Sequence, residues 1–133
     1  GDLSAGHAIK AVNNGLATVA LLAAGEGLVA LKARGIDVSR ALAAINASSG
    51  QSWVTKELYP KRVVPRTFDH GFALRLMHKD ARIAAAMAAG AGGGPSLLRE
   101  AEAGMARAVE AYGAEGDLSE AAKLYEAAGV RIE

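Results

Sequence analysis

Gly6, Lys10 and Asn14 follow one another at intervals of four, so on a helix they share one face. An amine and an amide then project side by side, and Gly6 leaves a hole beside Lys10. A lysine works as a general acid or base near neutral pH when burial or a neighbouring positive charge lowers its pKa, and a helix central to a fold offers the first of these. An amide one turn away orients that amine or holds a substrate oxygen. The same residues equally describe a solvated lysine near a helix end, beside a tolerated polar patch at Asn13 and Asn14. Other constellations are weaker. His7, His70 and His78 form no i, i+4 pair and have no carboxylate at metal-ligand spacing, so no metal site is expected. Gly90 to Gly94 follow a helical pattern rather than a strand, and no Lys-Ser/Thr pair closes them, so they read as a turn and not a phosphate loop. No serine sits in a Gly-x-Ser-x-Gly elbow.

These side chains need elements to hold them, and the composition indicates helices. Alanine fills 31 of 133 positions and recurs in tracts free of β-branched runs. The expected class is all-α, with about six helices around a long first one. That first helix is predicted from near Leu3, capped by Asp2 or Ser4, to Gly35. Leu3, Ile9, Val12, Leu16, Val19, Leu22, Leu28 and Leu31 spread around it, which implies protein on several sides. Asp37 caps a second helix to about Ala47, with Val38, Leu42 and Ile45 inward. A short helical piece carries Trp53, Val54 and Leu58, with Trp53 expected as a core anchor. Pro60 and Pro65 then predict an extended loop, with Val63 and Val64 as its one strand-like pair. A fourth helix is predicted from Phe72 to Ala89. A fifth from Ser96 to Tyr112 buries Leu97, Leu98, Met105 and Val109, and a sixth runs from Ser119 to Ala128 before a frayed end.

A length of 133 residues suits one domain, residues 1–133. The formal charge of +1 argues against the dense positive surface that nucleic-acid binding needs, and no cysteine is present for thiol catalysis or disulfides. A cytoplasmic protein is the expectation. Asn13, Asn14, Gly15 and Thr18 interrupt the uncharged stretch from Ala11 to Gly25, so no membrane association is expected.

The run Gly1-Asp2-Leu3-Ser4-Ala5-Gly6-His7-Ala8-Ile9-Lys10-Ala11-Val12-Asn13-Asn14 resembles the signature that opens the C-terminal helical domain of the β-hydroxyacid dehydrogenases. Ser4 stands where that signature usually has a glycine. Asn46-Ala47-Ser48-Ser49-Gly50-Gln51-Ser52-Trp53 is similar to the family's Ser-Gly-polar-Ser segment, and Phe72-Ala73-Leu74 with Lys79-Asp80 is similar to its second signature. The resemblance implies a fold like the C-terminal domain of 6-phosphogluconate dehydrogenase. It also implies hydride transfer between a small hydroxy acid and NAD or NADP. Lys10 would be the acid/base and Asn14 its orienting partner, with Gly6, Asn13, Phe72 and Asp80 around the substrate and Lys79 on the cofactor side. Bland readings stand beside these: Phe72 as core, Lys79-Asp80 as an exposed helical turn, and Ser48, Ser49 and Ser52 as helix punctuation. The cofactor's main site would lie on a Rossmann domain absent from this chain, because no βαβ unit with a glycine-rich turn is visible. The chain alone is then expected to be inactive and to bind the cofactor poorly. A self-standing helical module for oligomerisation or small-ligand binding is the competing expectation. Self-association to at least a dimer is expected, since one chain would not cover so apolar a first helix, with Gly25 and Gly27 allowing close helix approach.

Overall fold

The computed structural model describes residues 3–133; Gly1 of the opening signature and the candidate cap Asp2 lie outside the described residues. In chain order it contains α1 (Ala5–Ala33), α2 (Val38–Asn46), a π-helix (Val54–Val63), α3 (Leu74–Ala91), α4 (Leu97–Tyr112) and a 3-10 helix (Leu118–Tyr125). No strand occurs among the described residues, where pairing is limited to two isolated bridges. The architecture is the expected all-α one. Ser4 starts α1 by accepting from the His7 amide, and Gly35, at φ +82°, ends the turn that follows it. Asp37 and Ser96 cap α2 and α4 in the same way.

The core gathers around the later part of α1. Leu21, Leu22 and Leu28 pack with Leu74 and Met77 of α3, Met105 and Ala108 of α4, and Leu118 and Ala122 of the 3-10 helix. Two glycines allow the close crossings. A Cβ on Gly104 would lie 2.5 Å from the Leu22 side chain, and one on Gly25 would lie 2.8 Å from the Tyr59 hydroxyl. That hydroxyl donates to the Leu21 carbonyl deep in the fold, and burial pushes its pKa far up. Gly25 therefore serves packing within the chain, and not the subunit contact expected of it; Gly27 faces open space.

The start of α1 is different. Ile9 is 69% exposed, Leu16 62%, and Leu3 and Val12 are exposed too, so the protein expected around this end is not supplied by the described residues. By length and composition α1 could cross a bilayer, with a mean hydropathy of 1.6 over its most apolar window. Its far half is the core helix of this fold.

Four further expectations are corrected. The segment after Trp53 is helical through Pro60 to Val63, so Val63 is helical and fully buried rather than strand-like. Proline survives there because the helix is π-type. The carbonyl that the missing Pro60 amide would have served belongs to Thr55, and Asn46 Nδ2 donates to it at 2.8 Å. Trp53 is 46% exposed instead of anchoring the core. Leu97 is exposed at the first turn of α4, while Leu98 is half-buried. The end does not fray: Ile132 is fully buried, its amide donates to Glu126 at 2.8 Å, and Lys32 Nζ donates to the Glu133 carbonyl at 3.0 Å.

Candidate active site

Asn14 leaves α1 toward α3, where its Nδ2 donates to Asp80 Oδ2 at 2.6 Å. Asp80 is only 5% exposed and sits on the inward face of α3, with Lys79 beside it in the chain exposed. The two residues of the Lys-Asp pair thus have different surroundings, because consecutive positions on a helix face about 100° apart. The Asp80 bond also fixes the Asn14 amide. With Nδ2 turned to α3, Oδ1 faces the other way, where Asn13 Nδ2 donates to it at 3.3 Å.

Asn13 and Asn14 line a cleft of about 590 Å³. Phe72 and Met77 form one wall, Leu16, Ala17 and Ala20 of α1 form another, and Ser52, Trp53 and His70 close the rim. Phe72 is half-buried and belongs to the cleft. Lys10 and Gly6 do not line it: both are exposed on the first turns of α1, and a Cβ at Gly6 would meet nothing within 4 Å. The structure brings Asn13, Asn14, Phe72 and Asp80 together and leaves Lys10 one turn before Asn14, outside the rim. Burial of Lys10, the condition the sequence reasoning relied on, is not supplied by the described residues. A shallower hollow of about 390 Å³, formed by Ala8, Ile9, Val12, Asn13, Leu16 and Met87, continues from the cleft along the exposed start of α1.

The loop from 64 to 73 sets the far wall, and sequence reasoning missed how firmly it is held. Arg66 and Phe68 have φ of 63° and 48°, a left-handed backbone rare for such side chains. Arg66 makes a two-pronged ion pair with Glu126, and Lys123 stands over the Phe68 ring at 4.7 Å. Asp117 accepts from the amides of His70 at 3.2 Å, Gly71 at 2.8 Å and Ser119 at 3.0 Å. Burial raises the pKa of Asp117, but these bonds and the Ser119 hydroxyl outweigh it and hold the carboxyl below its ordinary range. His70 is placed by this clamp, its ring edge-on to Trp53 with centroids 5.3 Å apart. The signal available in sequence was an acid, Asp117, ahead of Glu120 in a capping box, which says nothing about a loop 46 residues earlier. Of the serines, Ser48 bonds back to Ala44 at the end of α2, whereas Ser52 both pairs with Thr55 and faces the cleft.

Residues 4–125 match a family described as NAD-binding of NADP-dependent 3-hydroxyisobutyrate dehydrogenase. A probable mitochondrial 3-hydroxyisobutyrate dehydrogenase of Arabidopsis thaliana is 34% identical over 103 residues, which cover 73% of this chain and 30% of that protein. The fold is similar to the 3-hydroxyisobutyrate dehydrogenase of Mycobacterium tuberculosis, solved with L-serine, at TM-score 0.79 and 25% identity, covering 90% of this chain and 43% of that one. It is also similar in fold to the Salmonella typhimurium enzyme of the same name, at TM-score 0.76 and 23% identity, covering 87% and 40%. The helical fold and the paired signatures thus define a domain of an NAD(P)-using dehydrogenase family. The chain belongs to the β-hydroxyacid dehydrogenase family, through the domain family described for NADP-dependent 3-hydroxyisobutyrate dehydrogenase. It spans less than half the length of these relatives.

Proposed function

We propose that this chain is the substrate-binding and catalytic helical domain of a longer NAD(P)-dependent 3-hydroxy acid dehydrogenase, with Lys10 as its proton-transfer residue. The observation that carries this reading is the Asn14–Asp80 bond: a buried carboxylate holds an amide at the cleft mouth, one helical turn from an amine. Asn14 Oδ1 is then the acceptor that orients either the Lys10 ammonium or the substrate hydroxyl, and Lys10 Nζ takes the hydroxyl proton in oxidation or returns it in reduction. Asn13 and Phe72 border the substrate on this reading, and Gly6, one turn before Lys10, leaves open space beside the amine.

A nicotinamide, when bound, supplies the hydride acceptor. The residues present fit only an edge of such a cofactor. Lys79 is one exposed cation suited to a phosphate oxygen, and no glycine-rich strand-to-helix turn occurs among the described residues to cradle a pyrophosphate. The NAD-binding description of the family matched over residues 4–125 supports a cofactor contact by this chain, and the 30% coverage of the plant relative supports a further domain in the complete protein. Its natural seat is the exposed apolar start of α1, which is continuous with the cleft through Asn13 and Leu16. The choice between NAD and NADP belongs to that domain on this reading. The test is Lys10→Ala in the full-length enzyme: kcat is expected to fall about 10²–10⁴-fold with substrate KM changed much less. Near-normal kcat would overturn the assignment.

A further inference from the structure

We propose that Gly15 is a positioning residue for Asn14: by carrying no side chain it lets α3 come close enough to α1 for the Asn14–Asp80 bond to form. Its effect on turnover rests on the role proposed above for Asn14; the packing does not. Asparagine has a short side chain, so its amide reaches a carboxylate on a second helix only where the two backbones lie close together. The buried residues of α1 as far as position 18 are Ala11, Gly15 and Thr18, all small. On α3, which packs against α1, Asp80 and Ala84 are both buried, and at a spacing of four they share one face. Asn14 bonds to the first of them, and a Cβ on Gly15 would lie 3.2 Å from the Cβ of the second. Consecutive residues of α1 thus meet consecutive turns of α3.

That contact leaves no room for an ordinary residue. A Cβ on Gly15 would also stand 2.9 Å from Leu98 Cδ2, but Leu98 is half-buried and its methyl can swing aside. Ala84 has nothing beyond its Cβ to rotate and is fully buried, so the α3 backbone itself would have to retreat by a few tenths of an ångström. Asp80, one turn away on the same helix, retreats with it. Asn14 stays with α1, where its carbonyl accepts from the buried Thr18 hydroxyl at 2.8 Å, so the retreat stretches the amide–carboxylate bond. Glycine is also the poorer residue for a helix interior, and alanine the better helix former. Its place in α1 directly after Asn14 therefore serves close approach against helix propensity. Gly6, by contrast, opposes nothing, since a Cβ there would meet no atom within 4 Å.

Turnover and stability together separate this role from packing alone. In the full-length enzyme Gly15→Ala should lower kcat roughly three- to tenfold, on the scale by which about 1 Å of misplacement costs on the order of a hundredfold. In an Asp80→Ala background the same change should alter kcat by less than about twofold, because the bond is lost only once. Adding Ala84→Gly to Gly15→Ala reopens the gap and should return kcat to within about twofold of the parent, although a glycine inside α3 weakens that helix in urea unfolding. Unchanged kcat in Gly15→Ala, the same loss with Asp80 already replaced, or no recovery in a folded Gly15→Ala/Ala84→Gly enzyme would each overturn the proposal. A second readout does not use turnover. In the 133-residue chain, the Asn14 carboxamide proton resonances, identified by their loss in Asn14→Ala, should move in Gly15→Ala in the same direction as in Asp80→Ala and return when Ala84→Gly is added. Resonances that stay in place would overturn the spacing, whatever Asn14 does in catalysis. Normal kcat in Asn14→Ala is instead a failure of the catalytic reading, and the resonances then decide the spacing alone.

Discussion

Asp80 gives the sharpest test of how the site is positioned, because its one hydrogen bond to another side chain is the 2.6 Å contact with Asn14 and it is almost wholly buried. Replacing it with alanine removes a charge-assisted hydrogen bond worth about 1.5–3 kcal/mol. Part of that returns, because Asn14 is half-buried and water can reach its freed N–H, so about 1–2 kcal/mol of chain stability should be lost. If Asp80 acts on turnover only through Asn14, the same energy appears in the barrier as a drop in kcat of roughly five- to thirtyfold. The decisive assay is a double-mutant cycle of Asn14→Ala and Asp80→Ala on kcat of the full-length enzyme, with urea unfolding of each variant alongside. The double variant should be no slower than Asn14→Ala alone. Multiplicative losses would refute the idea that the carboxylate works by holding the amide.

Gly25→Ala sets a gain in helix propensity of about 1 kcal/mol against the Tyr59–Leu21 hydrogen bond and a contact of 2.8 Å to the Tyr59 hydroxyl, so net destabilisation of about 1–2 kcal/mol is expected by urea unfolding. A stabilised variant would show that Tyr59 moves freely. The depressed carboxyls of Asp117 and Glu126 stabilise the fold above the ordinary carboxylate range, near about pH 4, and that stability should be lost as pH falls through their lowered folded-state values. Asp117→Asn should flatten the acid limb of a stability–pH curve, and an unchanged limb would assign acid unfolding elsewhere. With Ile9, Val12 and Leu16 uncovered, the 133-residue chain should sediment as at least a dimer at micromolar concentration, and Leu16→Lys should shift it toward monomer. A clean monomer would mean that this stripe is tolerated in water.

Helix positions were legible because caps are local. Ser4, Asp37 and Ser96 accept from amides three residues on, and Gly35 takes a positive φ, all within reach of a short window of sequence. The π-helix was not legible, because Pro60 is tolerated through Asn46, fourteen residues earlier and on another helix. The site divides in the same way. Asn14 and Asp80 stood out through signature spacing, but the bond between them joins residues 66 apart. His70 carried no pattern of its own, and only Asp117, reaching back from the start of the 3-10 helix, gives it a fixed place. Trp53 was misplaced by its size: large rings are usually buried, and this one forms a rim.

Lys10 and the apolar start of α1 pose one physical problem rather than two. An amine that exchanges a proton near neutral pH needs its charge disfavoured by dry surroundings, and this chain leaves Lys10 in water. Ile9 and Val12, near it in sequence but on another face of the helix, are apolar and also open to water, which is unfavourable for any surface meant to stay wet. Covering the stripe solves both at once. On the proposed reading, a domain that covers Ile9, Val12 and Leu16 and reaches round the helix to Lys10 removes apolar area from water and dries the amine, so association and activation of the lysine share a source. On this argument a substitution such as Val12→Asp weakens domain contact and kcat together.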